Sequence, residues 1–191
     1  MSPSILDLTL NPNTVELKIR FSVEAMLAEV DLSEISDTNL SKNAEKYDEL
    51  RGLTPEQIKK IFKYKWPDFE KYISLNQSGR GIKLNYQELT VPGVGNTELT
   101  RISYLFLEGK LQNNEPVVFS WNSKLGPIVV RQLGVENGLT QFLADGDVSD
   151  LIFFEGSLQK NKIITLMYSV VMSIFIASMS LLSKFLIFFT S

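Results

Sequence analysis

The first twenty residues alternate in a way that is typical of β-structure. From Val15 to Phe21 every second residue is apolar and the residues between them are charged. This period of two indicates a strand with one buried and one solvated face. A shorter apolar run, Ile5 to Leu10, precedes it, and Asn11-Pro12-Asn13 supplies turn residues between the two. The pattern therefore predicts a β-hairpin at the start of the chain.

Residues 23–75 change to helical spacing. Thr54-Pro55-Glu56-Gln57 combines an N-cap threonine, a proline in the first turn and a glutamine three residues after the cap. We expect Pro67 to kink or restart the helix that begins there. The apolar stripe on this helix consists of Ile58, Ile61, Phe62, Trp66, Phe69 and Ile73. Residues 23–75 are therefore predicted to be a helical insertion.

Beyond Gly81 the period of two returns. Leu89 and Val91 fall out of phase with the apolar residues of 82–86, which predicts a bulge near Gln87-Glu88. Ile102, Tyr104 and Phe106 mark one strand face, Val117, Phe119 and Trp121 mark another, and Ile128–Val135 is apolar on both faces. The predicted fold is mainly β with an α insertion: a small antiparallel, immunoglobulin-like β-sandwich over residues 1–150.

The C-terminal segment is predicted to cross a membrane. Residues 163–183 carry no formal charge, and 21 residues match the ~20 that a helix needs to span ~30 Å of hydrocarbon. We expect a juxtamembrane linker at 151–162 and one transmembrane helix at 163–189. A buried core helix is the alternative. Because the N-terminus has no basic stretch followed by an apolar one, the pattern predicts a tail-anchored, cytoplasm-facing domain unless an upstream export segment is missing.

Composition excludes several classes of function. The 191 residues include no cysteine and no histidine, so disulfides, thiol nucleophiles, histidine bases and most transition-metal sites are not expected. A net charge of −3 gives no electrostatic reason to expect a nucleic-acid partner. No spacing of serine and lysine marks a nucleophile. The sequence therefore predicts a protein that is not an enzyme and that uses no cofactor.

Four stretches of the chain resemble a known domain: VEAMLAEVDLSEISDT, NAEKYDELRGLTPEQI, VGNTELTRISYLFLEG and FSWNSKLGPIVVRQLGVENGLTQFL. Together they are similar to the N-terminal extracytoplasmic domain of HupE/UreJ-like membrane proteins, which are hydrogenase and urease accessory proteins. The resemblance covers roughly residues 3–147. It implies an accessory domain on the extracytoplasmic, periplasmic side of the inner membrane, beside the lipid bilayer and a possible membrane-protein partner.

The resemblance does not extend to transport chemistry. The nickel-associated helices of that family bear histidine, which this chain lacks. An accessory binding domain is therefore the leading hypothesis. A partner subunit or fragment of a metal (nickel) uptake membrane protein is the alternative, and a cytoplasm-facing, tail-anchored interaction module is the third.

Candidate binding residues lie in the most family-like stretch. Trp121, Arg131 and Gln132 are candidates for partner binding, although a tryptophan on an apolar strand face is more often a core residue. Arg131 is opposite in phase to its apolar neighbours, so it either presents a binding group or pairs with a carboxylate in the sheet. The acidic residues Asp31, Glu34 and Asp37 form either an oxygen-ligand site or, more simply, a solvated loop with N-caps.

Overall fold

The N-terminal hairpin forms as the alternation predicts in the computed structural model, which describes residues 2–35 and 37–155. Strand β1 (Ser4–Leu10) pairs antiparallel with β2 (Thr14–Phe21). On β2 the charged residues Glu16 and Lys18 are exposed, and the apolar residues between and beside them are buried. Burial of one face therefore fixes the register of the hairpin, because a slip by one residue would turn those charges inward.

The remaining strands complete two sheets. They are β3 (Ile73–Gln77), β4 (Arg80–Ile82), β5 (Leu84–Thr90), β6 (Ser103–Lys110), β7 (Val117–Trp121), β8 (Ile128–Leu133) and β9 (Thr140–Leu143). One sheet has six strands in the order β5-β6-β2-β1-β8-β9, and the other has three in the order β4-β3-β7. The mainly β fold with helices is thus confirmed at the level of its two sheets.

The prediction that all strands pair antiparallel is wrong for one pair of strands. Strand β8 lies parallel to β1, with Asp7 opposite Arg131, so the six-stranded sheet is mixed. Parallel neighbours require a long connection, and here more than a hundred residues separate the two strands. The bulge predicted near Gln87-Glu88 is confirmed, since the register of β5 on β6 shifts between Tyr86 and Glu88.

Both sheets contribute to one hydrophobic core. The buried residues include Leu6, Leu17, Ile19 and Leu105 from the six-stranded sheet and Phe119 from the three-stranded sheet, each less than 2 % exposed. Burying a side chain of this size contributes roughly 1.5–3 kcal/mol. Ile152 pairs with Val117 next to β7, and Phe154 is also buried, so the compact unit Met1–Phe154 includes these residues.

The helical insertion lies between β2 and β3. It comprises α1 (Val23–Ala28), α2 (Ala44–Arg51) and α3 (Pro55–Phe69). Thr54 and Gln57 form the predicted capping box, each side chain bonding to the backbone of the other. The insertion ends before residue 75, because β3 begins at Ile73. The helix runs through Pro67 and ends two residues later, so the predicted restart after Trp66 does not occur.

A buried charge cluster joins the insertion to the loop before β6. Glu24 on α1 accepts a hydrogen bond from Arg101 Nε, and Arg51 Nη1 lies 3.8 Å from the same carboxylate oxygen. Arg101 also donates to the carbonyl oxygens of Leu50 and Leu53. All three charged residues are at least 95 % buried. The cluster therefore fixes α1 and α2 against the segment that leads into β6.

Within the described residues, 2–35 and 37–155, no helix is long and apolar enough to cross a membrane. The predicted transmembrane helix at 163–189 and most of the predicted linker at 151–162 lie outside the described residues.

Replacing Glu24 by Gln will test the cluster. The change keeps the side-chain shape but leaves two buried guanidinium groups without their carboxylate, and breaking a buried ion pair in this way costs about 3–5 kcal/mol. The measurement is urea unfolding of the purified chain. Glu29→Gln is the control, because the Glu29–Lys46 pair is exposed and should change the unfolding free energy by less than about 1 kcal/mol. Equal effects of the two substitutions would contradict a special role for Glu24.

Candidate functional site

A cavity of about 450 Å³ opens where several strands begin or end. Ser4 lines it at the start of β1, Phe21 at the end of β2 and Trp121 at the end of β7. Ile102 and Pro127, which precede β6 and β8, complete that side. These strands meet at one end because β1 runs antiparallel to β2 and parallel to β8. The strand order therefore creates the cavity from segments that are distant in the sequence.

The helical insertion supplies the opposite wall. Met26 lies on α1, Val30 and Leu32 follow it, and Ile35 lies in the loop that leads toward α2. Glu29 ends α1 in the left-handed conformation, with φ of 59°, and its N–H donates to Met26 O, so the chain turns sharply there. Leu32 N then donates to Lys124 O. The loop is thereby held against the segment that precedes β8.

Gly126 sets the distance between these two walls. Its φ is +75°, and a Cβ atom placed on it would lie 2.9 Å from the Cβ of Leu32. Glycine tolerates both the positive φ and the close approach. Its carbonyl oxygen accepts a hydrogen bond of 2.9 Å from Trp121 Nε1. One residue therefore holds Trp121 and the loop at the cavity together.

Two charged side chains line the cavity. Arg20 is half-buried at the end of β2, and Glu34 is exposed in the loop after α1. Within the described ranges 2–35 and 37–155, neither side chain forms a hydrogen bond or an ion pair. Arg20 was not among the residues predicted from the sequence, because an arginine between Ile19 and Phe21 follows the ordinary alternation of a solvated strand face. Its position at the end of the strand is the only signal that marks it.

The three predicted binding residues do not form one site. Trp121 is only 4 % exposed and borders the cavity from the core side. Gln132 is also buried: its Nε2 donates to Phe153 O at 2.6 Å and its Oε1 accepts from Leu139 N at 3.3 Å. Arg131 lies on the opposite face of β8, where its Nη2 is 2.6 Å from Asp7 Oδ1. It thus forms the carboxylate pair that was one of its two predicted alternatives.

Arg131 lies within an apolar surface on the outer face of the six-stranded sheet. We define the outer patch as Ile5, Val129, Arg131, Leu133 and Phe142. The register brings Ile5, Val129 and Phe142 into one row across β1, β8 and β9. Phe142 is 59 % exposed and Leu133 is 45 % exposed. The patch therefore places apolar side chains on both sides of the Asp7–Arg131 ion pair.

The aspartate side chains of the acidic loop accept hydrogen bonds from nearby residues. Asp31 accepts from the backbone and hydroxyl of Ser33, and Asp37 accepts from Asn39 N as the N-cap of a short 3₁₀ turn. This matches the simpler prediction of a solvated loop with N-caps. In the described part of the chain no group of three or more acidic side chains is placed to hold a metal ion.

Comparison with known proteins adds no family assignment. No protein-family model matches the chain, and no curated protein matches it significantly.

Gly126→Ala will test how the cavity is built. The substitution adds a Cβ in a backbone region that is nearly restricted to glycine and pushes it against Leu32, so we expect a loss of about 1–3 kcal/mol of unfolding free energy. Gly134→Ala is the control, since Gly134 also has a positive φ, of +77°, but has no atom within 4 Å of the added Cβ. A loss no larger than that of the control would show that contact with Leu32 is unimportant.

The neighbours Gln132 and Arg131 should respond differently to truncation. Gln132→Ala leaves the carbonyl of Phe153 and the N–H of Leu139 without their side-chain partner, so we expect about 1–3 kcal/mol of destabilisation in urea unfolding. Arg131→Ala removes a half-exposed ion pair and should cost less than about 1 kcal/mol. The reverse order would contradict the assignment of Gln132 to the core and Arg131 to the surface.

Proposed function

We propose that the chain is a non-enzymatic accessory domain that binds a membrane-protein partner. In this proposal residues 163–189 anchor it in the inner membrane, and the domain lies on the extracytoplasmic, periplasmic side. The partner contacts the outer patch. The two sheets are proposed to form a small immunoglobulin-like sandwich that presents this patch.

The outer patch is the observation that carries the proposal. Aromatic residues and arginine that are exposed in the free protein are enriched at the centres of protein interfaces, where the partner buries them. Here Phe142 and Leu133 expose apolar surface on either side of Arg131, and β8 is paired with β1 on one side and β9 on the other. The side chain of Arg131 is 45 % exposed and is therefore accessible to a partner. Its pairing with Asp7 orients the guanidinium without burying it.

Two features of the sequence support the location. The uncharged segment 163–183 has the length of a membrane span. The stretch that includes Trp121, Arg131 and Gln132 is the part most similar to the extracytoplasmic domain of HupE/UreJ-like proteins. A nickel-uptake partner would have to supply any imidazole or thiolate ligand itself, because this chain contains neither histidine nor cysteine.

Protease accessibility will test the location. We expect the domain to resist added protease in intact cells and to be digested in spheroplasts, while carbonate-washed membranes retain the protein. Protection in spheroplasts, with the protein still in the carbonate pellet, would instead support a cytoplasm-facing, tail-anchored module. Release by carbonate would contradict the membrane anchor.

Photo-crosslinking will test the outer patch. A photoreactive amino acid at position 142 should crosslink to a discrete membrane protein, and Arg131→Ala in the same chain should reduce the yield severalfold. Position 64 is the matched control, because Tyr64 is an aromatic residue on α3 that is 82 % exposed and lies outside the patch. Equal crosslinking from positions 64 and 142, or no effect of Arg131→Ala, would contradict the proposed interface.

A further inference from the structure

We infer that the cavity at the end of β2 binds a small amphipathic carboxylate, with the guanidinium of Arg20 as its anion-binding group. No residue of the outer patch lines the cavity, although Arg20 lies directly opposite Ile5 in the pairing of β1 with β2. The inference therefore stands or fails independently of the proposed accessory function.

The size and walls of the cavity favour a small apolar ligand. Its volume of about 450 Å³ falls within the roughly 300–1,000 Å³ typical of small-molecule sites. Met26, Val30, Trp121 and Leu125 face it, and each is at least 90 % buried. An alkyl chain that enters the cavity would exchange water for these side chains, which is favourable in proportion to the apolar area covered.

The charge of the ligand follows from Arg20. Three other arginines each have a hydrogen-bond acceptor. Arg51 and Arg101 donate to backbone carbonyl oxygens, and Arg131 donates to the carboxylate of Asp7. Arg20 has no such partner within residues 2–35 and 37–155, although it is half-buried. A guanidinium presents several N–H donors in a planar fork that matches the two oxygens of a carboxylate.

Among the described residues that line the cavity, Glu34 carries the charge that opposes this assignment. It also lines the cavity, but it is exposed, whereas Arg20 is half-buried. Water and salt screen an exposed charge more strongly than one at an apolar wall. We therefore expect Arg20, the more buried of the two, to contribute more than Glu34 to the electrostatic potential that a bound anion meets.

The remaining polar groups at the site are small. Ser4 and Thr100 line the cavity, and their hydroxyl groups form no hydrogen bond with any described residue. Hydroxyl groups can donate to a second carboxylate oxygen without adding charge. The site thus adds hydroxyl groups to the cation of Arg20, the carboxylate of Glu34 and an apolar wall.

Calorimetric titration of the purified full chain with three six-carbon probes will test the inference. Hexanoate should bind saturably, hexanol more weakly, and hexylammonium not measurably. Arg20→Gln should weaken hexanoate binding by about tenfold or more, the loss expected for a charge-assisted hydrogen bond. Glu34→Gln should leave the affinity unchanged or increase it.

Lys18→Gln is the matched control. Lys18 lies two residues before Arg20 on the same face of β2 and carries the same charge, but it does not line the cavity. The control should leave hexanoate affinity unchanged. Equal losses of hexanoate affinity from Lys18→Gln and Arg20→Gln would show that the overall charge of the protein, and not a site at Arg20, causes the effect. That result would overturn the inference.

The two tryptophans locate the probe. Trp121 lines the cavity, whereas Trp66 packs in the aromatic cluster of α3. In a Trp66→Phe chain, 6-bromohexanoate should quench the remaining Trp121 fluorescence with the same concentration dependence as the calorimetric binding. The inference is overturned by the absence of saturable hexanoate binding, by saturable binding without quenching, or by a preference for hexylammonium that Glu34→Gln abolishes.

Discussion

Two arginines that are far apart in the sequence share the carboxylate of Glu24, and this contact ties α1 and α2 to the segment that leads into β6. Taking three charged groups out of water costs several kcal/mol for each, and the attraction between them offsets that cost only where further hydrogen bonds are made. Here the acceptors are carbonyl oxygens: Leu50 and Leu53 for Arg101, and Asn96 and Leu99 for Arg51. Leu50 lies in the last turn of α2 and Leu53 two residues beyond its end, where the helix dipole also favours a cation.

The cavity depends on this cluster although no member of the cluster lines it. Arg101 lies between Thr100 and Ile102, and Glu24 lies between Ser22 and Met26; all four of these neighbours line the cavity. The ion pair therefore fixes both walls at once. A purely apolar contact would tolerate small rotations of α1, whereas a carboxylate hydrogen-bonded to a guanidinium is restricted in both distance and direction.

Local features of the sequence predict local features of the structure. The capping box at Thr54 and Gln57 and the bulge after Tyr86 each depend on spacing within a few residues, and both are correct. The parallel pairing of β1 with β8 is not predicted, because no local pattern states which distant strand becomes a neighbour. The Glu24 cluster is missed for a related reason. Charged residues are usually solvated, and only the tertiary fold buries these three.

In strand β6 the alternation of residues does not predict which face is exposed and could bind a partner. From Tyr104 to Leu107 its residues are apolar or aromatic on both faces, so a period of two cannot decide which face is inside. The structure buries Leu105 and Leu107 and leaves Tyr104 and Phe106 half-exposed on the outer face. Lys18 lies over both of those rings, 5.0 and 5.8 Å from their centres, which partly shields them from water. Phe142, at the other side of the same sheet, is 59 % exposed. The open sheet face therefore differs from one side to the other. Lys18 covers the rings beside β2, whereas Phe142 at β9 stays accessible and the nearby cation, Arg131, is paired with Asp7.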